Sequence, residues 1–249
     1  MSAPPTTTHR PRELYLHDLR WSARTIGRNW WFLVAVLAID LGLVTAARLL
    51  PVLAILFWLC LVGLVGTERL FFLRAYLGNR LGPGDALAAT ARFLGRFLLL
   101  GLWVTLFFVL PAFVVGVVAG ITAHADASHH VRFSRWWVRG LLLGFVVVSD
   151  VLLTFVVPAL ALSTAKPMEA VRLGLRMLRA SWPTARWYAL TPGLTITAIA
   201  LLLPASVLGY WGAAAIGLVG TALGLSFKGA VVPFYLQRTP GVTYWGSLG

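Results

Sequence analysis

Acidic side chains are scarce in this chain. Its 249 residues include eight Asp and Glu against 21 Lys and Arg, which gives a formal net charge of +13. A basic balance of this size can indicate nucleic-acid binding, but here the basic residues lie in the gaps between long apolar runs. That placement indicates contact with anionic lipid headgroups. We therefore expect membrane lipids as partners, together with other membrane subunits, and no nucleic acid.

Cysteine is nearly absent as well. Cys60 is the only one, so no disulfide can form within the chain. The sequence also lacks an HExxH metal motif and a Walker A loop, and no histidine lies in an apolar run to activate a nucleophile. These absences predict a protein that is not an enzyme and has no catalytic residues, cofactor or resident metal.

Hydrophobic residues are in excess. They make up 59% of the chain, with a mean hydropathy of +0.83. They form runs of about 20 residues, the length that a helix needs to cross roughly 30 Å of hydrocarbon. Helices are expected because each satisfies its own backbone hydrogen bonds in lipid. The predicted fold is an all-α polytopic integral membrane protein with six spans at about residues 30–47, 51–67, 97–122, 140–162, 187–207 and 210–236.

The placement of Lys and Arg predicts the orientation. With a cytoplasmic N-terminus, 17 of the 21 basic residues lie inside, and four lie outside: Arg48, Arg132, Arg135 and Arg139. This bias predicts a multi-pass protein of a bacterial inner membrane with both termini in the cytoplasm. The first 29 residues are too long and polar for a secretory signal, so we expect the first span to be retained.

The stretch "AKPMEAVRLGLRMLRASWP", residues 165–183, lies between two apolar runs. Wound as a helix at about 100° per residue, it gathers its arginines on one narrow stripe and its small and apolar residues opposite. This pattern is typical of a basic amphipathic helix in the plane of the membrane interface, here over 168–182, with Pro183 expected to end it. The predicted lipid-headgroup contacts are Arg172, Arg176 and Arg179.

The same pattern occurs three times, from His17, from Gly84 and from Met168. Each copy opens with an acid near the helix start, where the helix dipole favours it: Asp18, Asp85 and Glu169. Each copy precedes two spans. We therefore predict one membrane domain, residues 1–249, built from three parallel repeats of an interfacial helix and two spans, at 13–67, 83–162 and 165–236.

A sparse motif within residues 165–190 consists of Pro167, Glu169, Ala170, Arg172 and Trp182, and the segment "GPGDALAATARFLGRF" is similar. On these residues the chain resembles a group of bacterial multi-pass families related to the membrane domain of some glycerophosphodiester phosphodiesterases. The resemblance implies the repeated architecture. It implies no phosphodiesterase activity, because the soluble catalytic domain of those proteins is not found in these residues.

Two acids lie deep in predicted spans. Asp40 falls about 11 residues into the first span, and Asp150 lies about as deep in the fourth. A carboxylate at such depth is costly and points to function, here a proton-linked or cation-linked pathway. The structural alternative, which we favour at this point, is a buried acid hydrogen-bonded to Ser149, Thr154 or another helix.

Lys228 is the third intramembrane ionisable candidate, in the inner half of the sixth span. It either pairs with an acid or an anionic lipid, or extends to the cytoplasmic surface, which is the favoured interpretation. Gly220 and Gly224 precede it at four-residue spacing. Like Gly116 and Gly120 in the third span, they predict close helix contact.

The outer loop "AHADASHHVRFSRWWVRG" carries ligand types for a transition metal, although their spacing matches no known motif. Its candidates are His124, Asp126, His129 and His130, and a solvated loop is the favoured interpretation.

Bulk charge, aromatic belts and glycine faces are all explained without a reaction. The first functional hypothesis is therefore a scaffold or a lipid-interacting partner subunit of a membrane assembly. The alternative is a transporter or permease-type subunit that uses Asp40 and Asp150. A lipid-modifying membrane enzyme is the least favoured hypothesis.

Overall fold

The computed structural model describes residues 11–111, 113–114, 117, 131–202 and 205–239. Regular structure within these residues is entirely helical. The helices are α1 (Pro11–Arg28), α2 (Trp30–Leu49), α3 (Pro51–Tyr76), α4 (Pro83–Val104), α5 (Val131–Pro158), α6 (Pro167–Ala180), α7 (Trp182–Leu202) and α8 (Ala205–Arg238).

Two helices continue into π-helical turns, α4 at Thr105–Val109 and α5 at Ala159–Ser163. A proline lies beside each turn, Pro111 after the first and Pro158 before the second. Because proline lacks a backbone N–H and disturbs the hydrogen-bond ladder in the turn that precedes it, Pro111 accounts for the change of winding at Thr105–Val109.

Several helices have the length and composition to cross a membrane. Three meet that requirement alone over Val52–Tyr76, Pro83–Phe107 and Gly217–Arg238, which belong to α3, α4 and α8. A fourth crossing is possible if α1 and the first part of α2 form one broken span, bent by 86°. These helices are consistent with a membrane protein. The predicted count of six spans is larger than the three or four candidate spans found in the described residues.

Aromatic rings fill the centre of the bundle. Phe32 of α2 stacks on Phe71 of α3 with ring centroids 4.2 Å apart. Phe234 of α8 contacts both Phe155 of α5 and Tyr188 of α7, at ring-centroid distances of 5.5 and 4.3 Å. Burial of such large apolar rings is a principal source of packing energy. α8 therefore lies centrally, where the charged residues described below meet.

Close helix contacts occur at glycines other than those predicted. A Cβ added at Gly229 of α8 would overlap Ser22 of α1 and Phe72 of α3, and one at Gly174 of α6 would lie 2.6 Å from the Val156 backbone nitrogen. At Gly220 and Gly224 the same addition meets no residue that the structure describes within 4 Å. The prediction of close contact there was wrong, because four-residue spacing shows which residues share a face and not what that face meets. Gly116 and Gly120 lie outside the described residues.

Two predicted boundaries were wrong. The second interfacial helix and the third span form one uninterrupted helix, α4. Its buried stripe continues past the expected break and gives the chain no reason to turn: Ala89, Phe93, Phe97 and Leu100. Pro183 does not end α6, which stops at Ala180, but lies in the first turn of α7, where a proline is tolerated.

Candidate functional site

An ion pair joins α3 to α8. The ammonium nitrogen of Lys228 lies 2.9 Å from Oε1 and 2.8 Å from Oε2 of Glu68. The Glu68 side chain is 3% exposed, whereas that of Lys228 is 41% exposed. Lys228 thus pairs with an acid of its own chain, which is one of the two alternatives that the sequence left open for it. The sequence analysis did not predict Glu68 as a site residue, because Glu68 follows the predicted end of the second span.

Arg69 lies beside this pair and is buried. One terminal nitrogen of its guanidinium donates a hydrogen bond to the backbone carbonyl of Lys228, while its Nε has no partner within the described chain. The sequence predicted Arg69 only as one of the basic residues on the cytoplasmic side, after a second span ending at about residue 67. That end was wrong, because α3 continues to Tyr76 and takes Arg69 into the bundle.

Asp40 reaches the same region from α2. Its Oδ2 accepts a hydrogen bond of 3.3 Å from the hydroxyl of Thr221 on α8. The Asp40 carboxylate is also close enough to Lys228 and Glu68 to interact electrostatically with both. The structural alternative predicted for this acid, a hydrogen bond to another helix, is therefore confirmed. In addition, Asp40 has two charged neighbours, Lys228 and Glu68.

Asp150 enters from α5. Its Oδ2 is buried and accepts no hydrogen bond from any residue that the structure describes. Thr154 donates instead to the Asp150 backbone carbonyl, at 2.7 Å. The carboxylate faces α7, where a Cβ added at Gly193 would lie 3.4 Å from Oδ2, and it interacts electrostatically with Arg69 and Lys228.

Four helices thus bring five ionisable side chains together, a group that we name the charge cluster: Asp40, Glu68, Arg69, Asp150 and Lys228. The three intramembrane candidates from the sequence, Asp40, Asp150 and Lys228, all belong to it. Glu68 and Arg69 were missed as members. A signal was present in the sequence, because the apolar run resumes directly after Glu68 and Arg69 with Leu70, Phe71, Phe72 and Leu73.

The predicted headgroup contacts do not join the charge cluster. They are exposed on α6, whose opposite face buries Ala170, Gly174 and Met177. The prediction of an amphipathic helix with an arginine stripe is confirmed for residues 167–180. Between Arg176 and Arg179 a shallow surface cavity also takes in Leu175 and Ala180.

A second buried acid, Asp18, anchors α1. Its Oδ2 accepts a 2.7 Å hydrogen bond from the hydroxyl of Tyr188 on α7, and its Oδ1 lies 3.4 Å from Nδ1 of His17. Burial raises the pKa of Asp18 above its ordinary value, although the bond from Tyr188 opposes the rise. The prediction of Asp18 as an acid near the helix start was wrong, because α1 begins at Pro11 and the acid in its first turn is Glu13. Asp18 lies in the middle of α1 and forms an interhelical contact.

Metal-ligand types do not converge in the described part of the chain, where no group of three or more His, Cys, Asp or Glu is arranged to hold an ion. The predicted loop candidates His124, Asp126, His129 and His130 lie outside the described residues.

Within the described residues, the fold and the charge cluster define an all-helical protein with helices long and apolar enough to cross a membrane and with a group of charged side chains between them. Comparisons with protein-family models, curated proteins and solved structures found no match to this chain.

Proposed function

We propose that this protein is a transporter or permease-type subunit of a bacterial inner membrane, in which the charge cluster takes up and releases a proton as a solute crosses. The observation that carries the proposal is that the charge cluster holds more acidic than basic side chains. Three carboxyl groups share two cations, and both cations are already engaged, Lys228 with Glu68 and Arg69 with a backbone carbonyl.

In this arrangement, Asp40 and Asp150 are the residues that can exchange a proton. Neither forms an ion pair within the described chain, and their nearest cations are held by other groups. An uncompensated carboxylate is expensive in hydrocarbon, and binding a proton or a cation removes that cost. Two such groups on α2 and α5, both within electrostatic reach of Lys228, form a relay for one proton.

The proposed setting is the architecture that the sequence predicts. Six spans place both termini in the cytoplasm, and α1, the first part of α4, and α6 hold equivalent places in three parallel units. The resemblance to the multi-pass membrane-domain families supports this arrangement over residues 165–190. Lys228 then lies in the cytoplasmic half of its span, so the charge cluster opens inward.

Proton flux in reconstituted vesicles tests the proposal. Purified protein is placed in vesicles with a pH-sensitive dye inside, and a pH step is applied outside. We expect the parent protein to dissipate the gradient, and Asp40→Asn and Asp150→Asn each to slow it about tenfold or more, a typical effect of removing a group that transfers protons. Asp85→Asn is the matched control, since Asp85 is exposed and pairs with Arg74 on the surface.

Equal flux in parent and Asn variants, with all proteins folded, refutes the proton pathway. A growth phenotype offers a second readout that does not need the solute to be known. In cells lacking the native copy, the two Asn variants should accumulate normally and fail to restore growth, whereas Asp85→Asn restores it.

A scaffold or lipid-interacting partner subunit is the second candidate. It is favoured by the exposed arginine stripe of α6, which is anchored by its buried face against α5. Purification in mild detergent tests it: a partner that co-purifies with the parent and with Asp40→Asn, but not with Arg172→Gln/Arg176→Gln/Arg179→Gln, supports a scaffold over a carrier.

A further inference from the structure

The outward face of α1 carries a second cationic site, separate from the arginine stripe of α6. A cavity of about 310 Å³ lies along this face. Its lining includes three arginines one helical turn apart, an aromatic ring, an imidazole and one acid: Arg20, Arg24, Arg28, Trp21, His17 and Glu13. We name it the α1 site.

The direction of α1 places this site at a membrane surface. α1 is bent by 86° from α2 at Asn29, so if the apolar α2 enters the bilayer, α1 runs nearly parallel to its plane. The inner face of α1 is fixed by buried Asp18 and Ser22, which pack towards α7 and α8. The arginine face therefore points away from the bundle, at the level of the headgroups.

The arginines of the α1 site are available to a ligand. None of Arg20, Arg24 and Arg28 forms an ion pair with a residue in the described part of the chain. Side chains four residues apart on a helix lie about 6 Å from each other, so neighbouring guanidinium groups can reach one anion together. The only acid in the lining is Glu13.

The floor of the site is aromatic and packs against α3. Trp21 packs against Phe72 and Tyr76 of α3, with ring centroids 6.2 and 5.8 Å away. An indole at headgroup level is the usual neighbour of the glycerol region of a lipid. A ligand held by the arginines would therefore place its apolar part along a fixed aromatic surface.

We propose that the α1 site binds the phosphomonoester headgroup of an anionic phospholipid of the phosphatidic acid type. Guanidinium groups form paired, charge-assisted hydrogen bonds with phosphate oxygens. Three arginines and one acid give the lining a formal charge of two positive. A phosphomonoester carries about −1.5 to −2 at neutral pH, which matches this charge better than the single charge of a phosphodiester headgroup.

Lipid binding to the full chain tests the proposal. The purified protein in neutral detergent is titrated with phosphatidic acid, with phosphatidylglycerol and with inorganic phosphate, and bound lipids are counted by native mass spectrometry. We expect phosphatidic acid to bind at least about tenfold more tightly than phosphatidylglycerol. We expect Arg20→Gln/Arg24→Gln to abolish that preference, as the loss of two charge-assisted contacts implies.

Two variants serve as controls. Arg92→Gln removes an exposed arginine of α4, and Arg172→Gln/Arg176→Gln/Arg179→Gln removes the α6 stripe; both should keep the preference for phosphatidic acid. Equal binding of the two lipids, or a preference lost with the α6 stripe instead, overturns the proposal. Inorganic phosphate that competes at the same concentration as the lipid shows that free phosphate is the ligand and also overturns it. The proposal is independent of proton flux, because none of these arginines belongs to the charge cluster.

Discussion

Lys228 and Glu68 lie 160 positions apart in the sequence, and their charged groups approach to 2.8 Å where α8 crosses α3. The pair sits beside Arg69, whose guanidinium binds the Lys228 carbonyl. Because removing one partner of a largely buried ion pair leaves a charge without compensation, the pair couples the position of α8 to that of α3.

Breaking this pair should destabilise the bundle. Glu68→Gln leaves the Lys228 ammonium without its acid, and we expect a loss of about 1–3 kcal/mol, reduced from the fully buried case because Lys228 is partly exposed. The measurement is the apparent unfolding midpoint in detergent. The double variant Glu68→Gln/Lys228→Gln should recover part of the loss, and a double variant as unstable as the two single losses combined would contradict a direct pair.

Gly229 should not tolerate a side chain. Gly229→Ala places a methyl group against Ser22 and Phe72, and overpacking of this kind costs about 1–3 kcal/mol. Gly224→Ala, five residues earlier on the same helix and with no described residue within 4 Å of the added Cβ, is the matched control and should unfold like the parent. The comparison needs only thermal unfolding in one detergent. Equal midpoints for the two variants would mean that α1, α3 and α8 do not meet at Gly229.

Asp18 should make stability depend on pH. Because its pKa is raised by burial in the folded protein, the folded state holds this proton more tightly than the unfolded state does. Stability from this group is therefore greatest in acid and falls as pH rises from about 3.9, the unfolded value, through the raised folded value. Asp18→Asn should make the unfolding midpoint depend less on pH over that range than it does in Asp85→Asn. An unchanged pH dependence would refute this.

Tyr188→Phe tests the same contact from its other side. The variant removes the hydroxyl that donates to Asp18 and leaves a buried acceptor without its partner, at a cost of about 1–3 kcal/mol. The loss should be largest where Asp18 is ionised. In an Asp18→Asn background the effect of Tyr188→Phe should shrink, and full additivity of the two substitutions would argue against the bond.

Topology reporters test the predicted orientation. A reporter fused after Ser128 should be active outside the cytoplasm, and one fused after Lys166, an exposed residue just before α6, should be active inside. The excess of Lys and Arg on the predicted inner side is the physical reason. The reverse pattern at both positions would turn the protein over and place the arginines of α1 and α6 on the outer surface.

The sequence by itself determined the class of this protein. Apolar runs of span length predicted helices because lipid offers no partner to an open backbone. The spacing of Arg172, Arg176 and Arg179 was sufficient to predict an exposed stripe on α6, because a helix maps sequence spacing directly onto a face. Asp40 and Asp150 were found for a similar reason: an acid inside an apolar run stands out without any structure.

Only the tertiary structure decided which helices meet and at which residues. Gly229, not Gly224, makes the close contact of α8 with α1 and α3, and local spacing holds no information about the neighbouring helix. From the sequence, Glu68 and Arg69 lie just beyond the predicted end of a span. In the structure, α3 extends past them and α8 crosses it at this point. Contacts between residues so distant in the chain depend on how the helices pack, so the charge cluster became visible only in three dimensions.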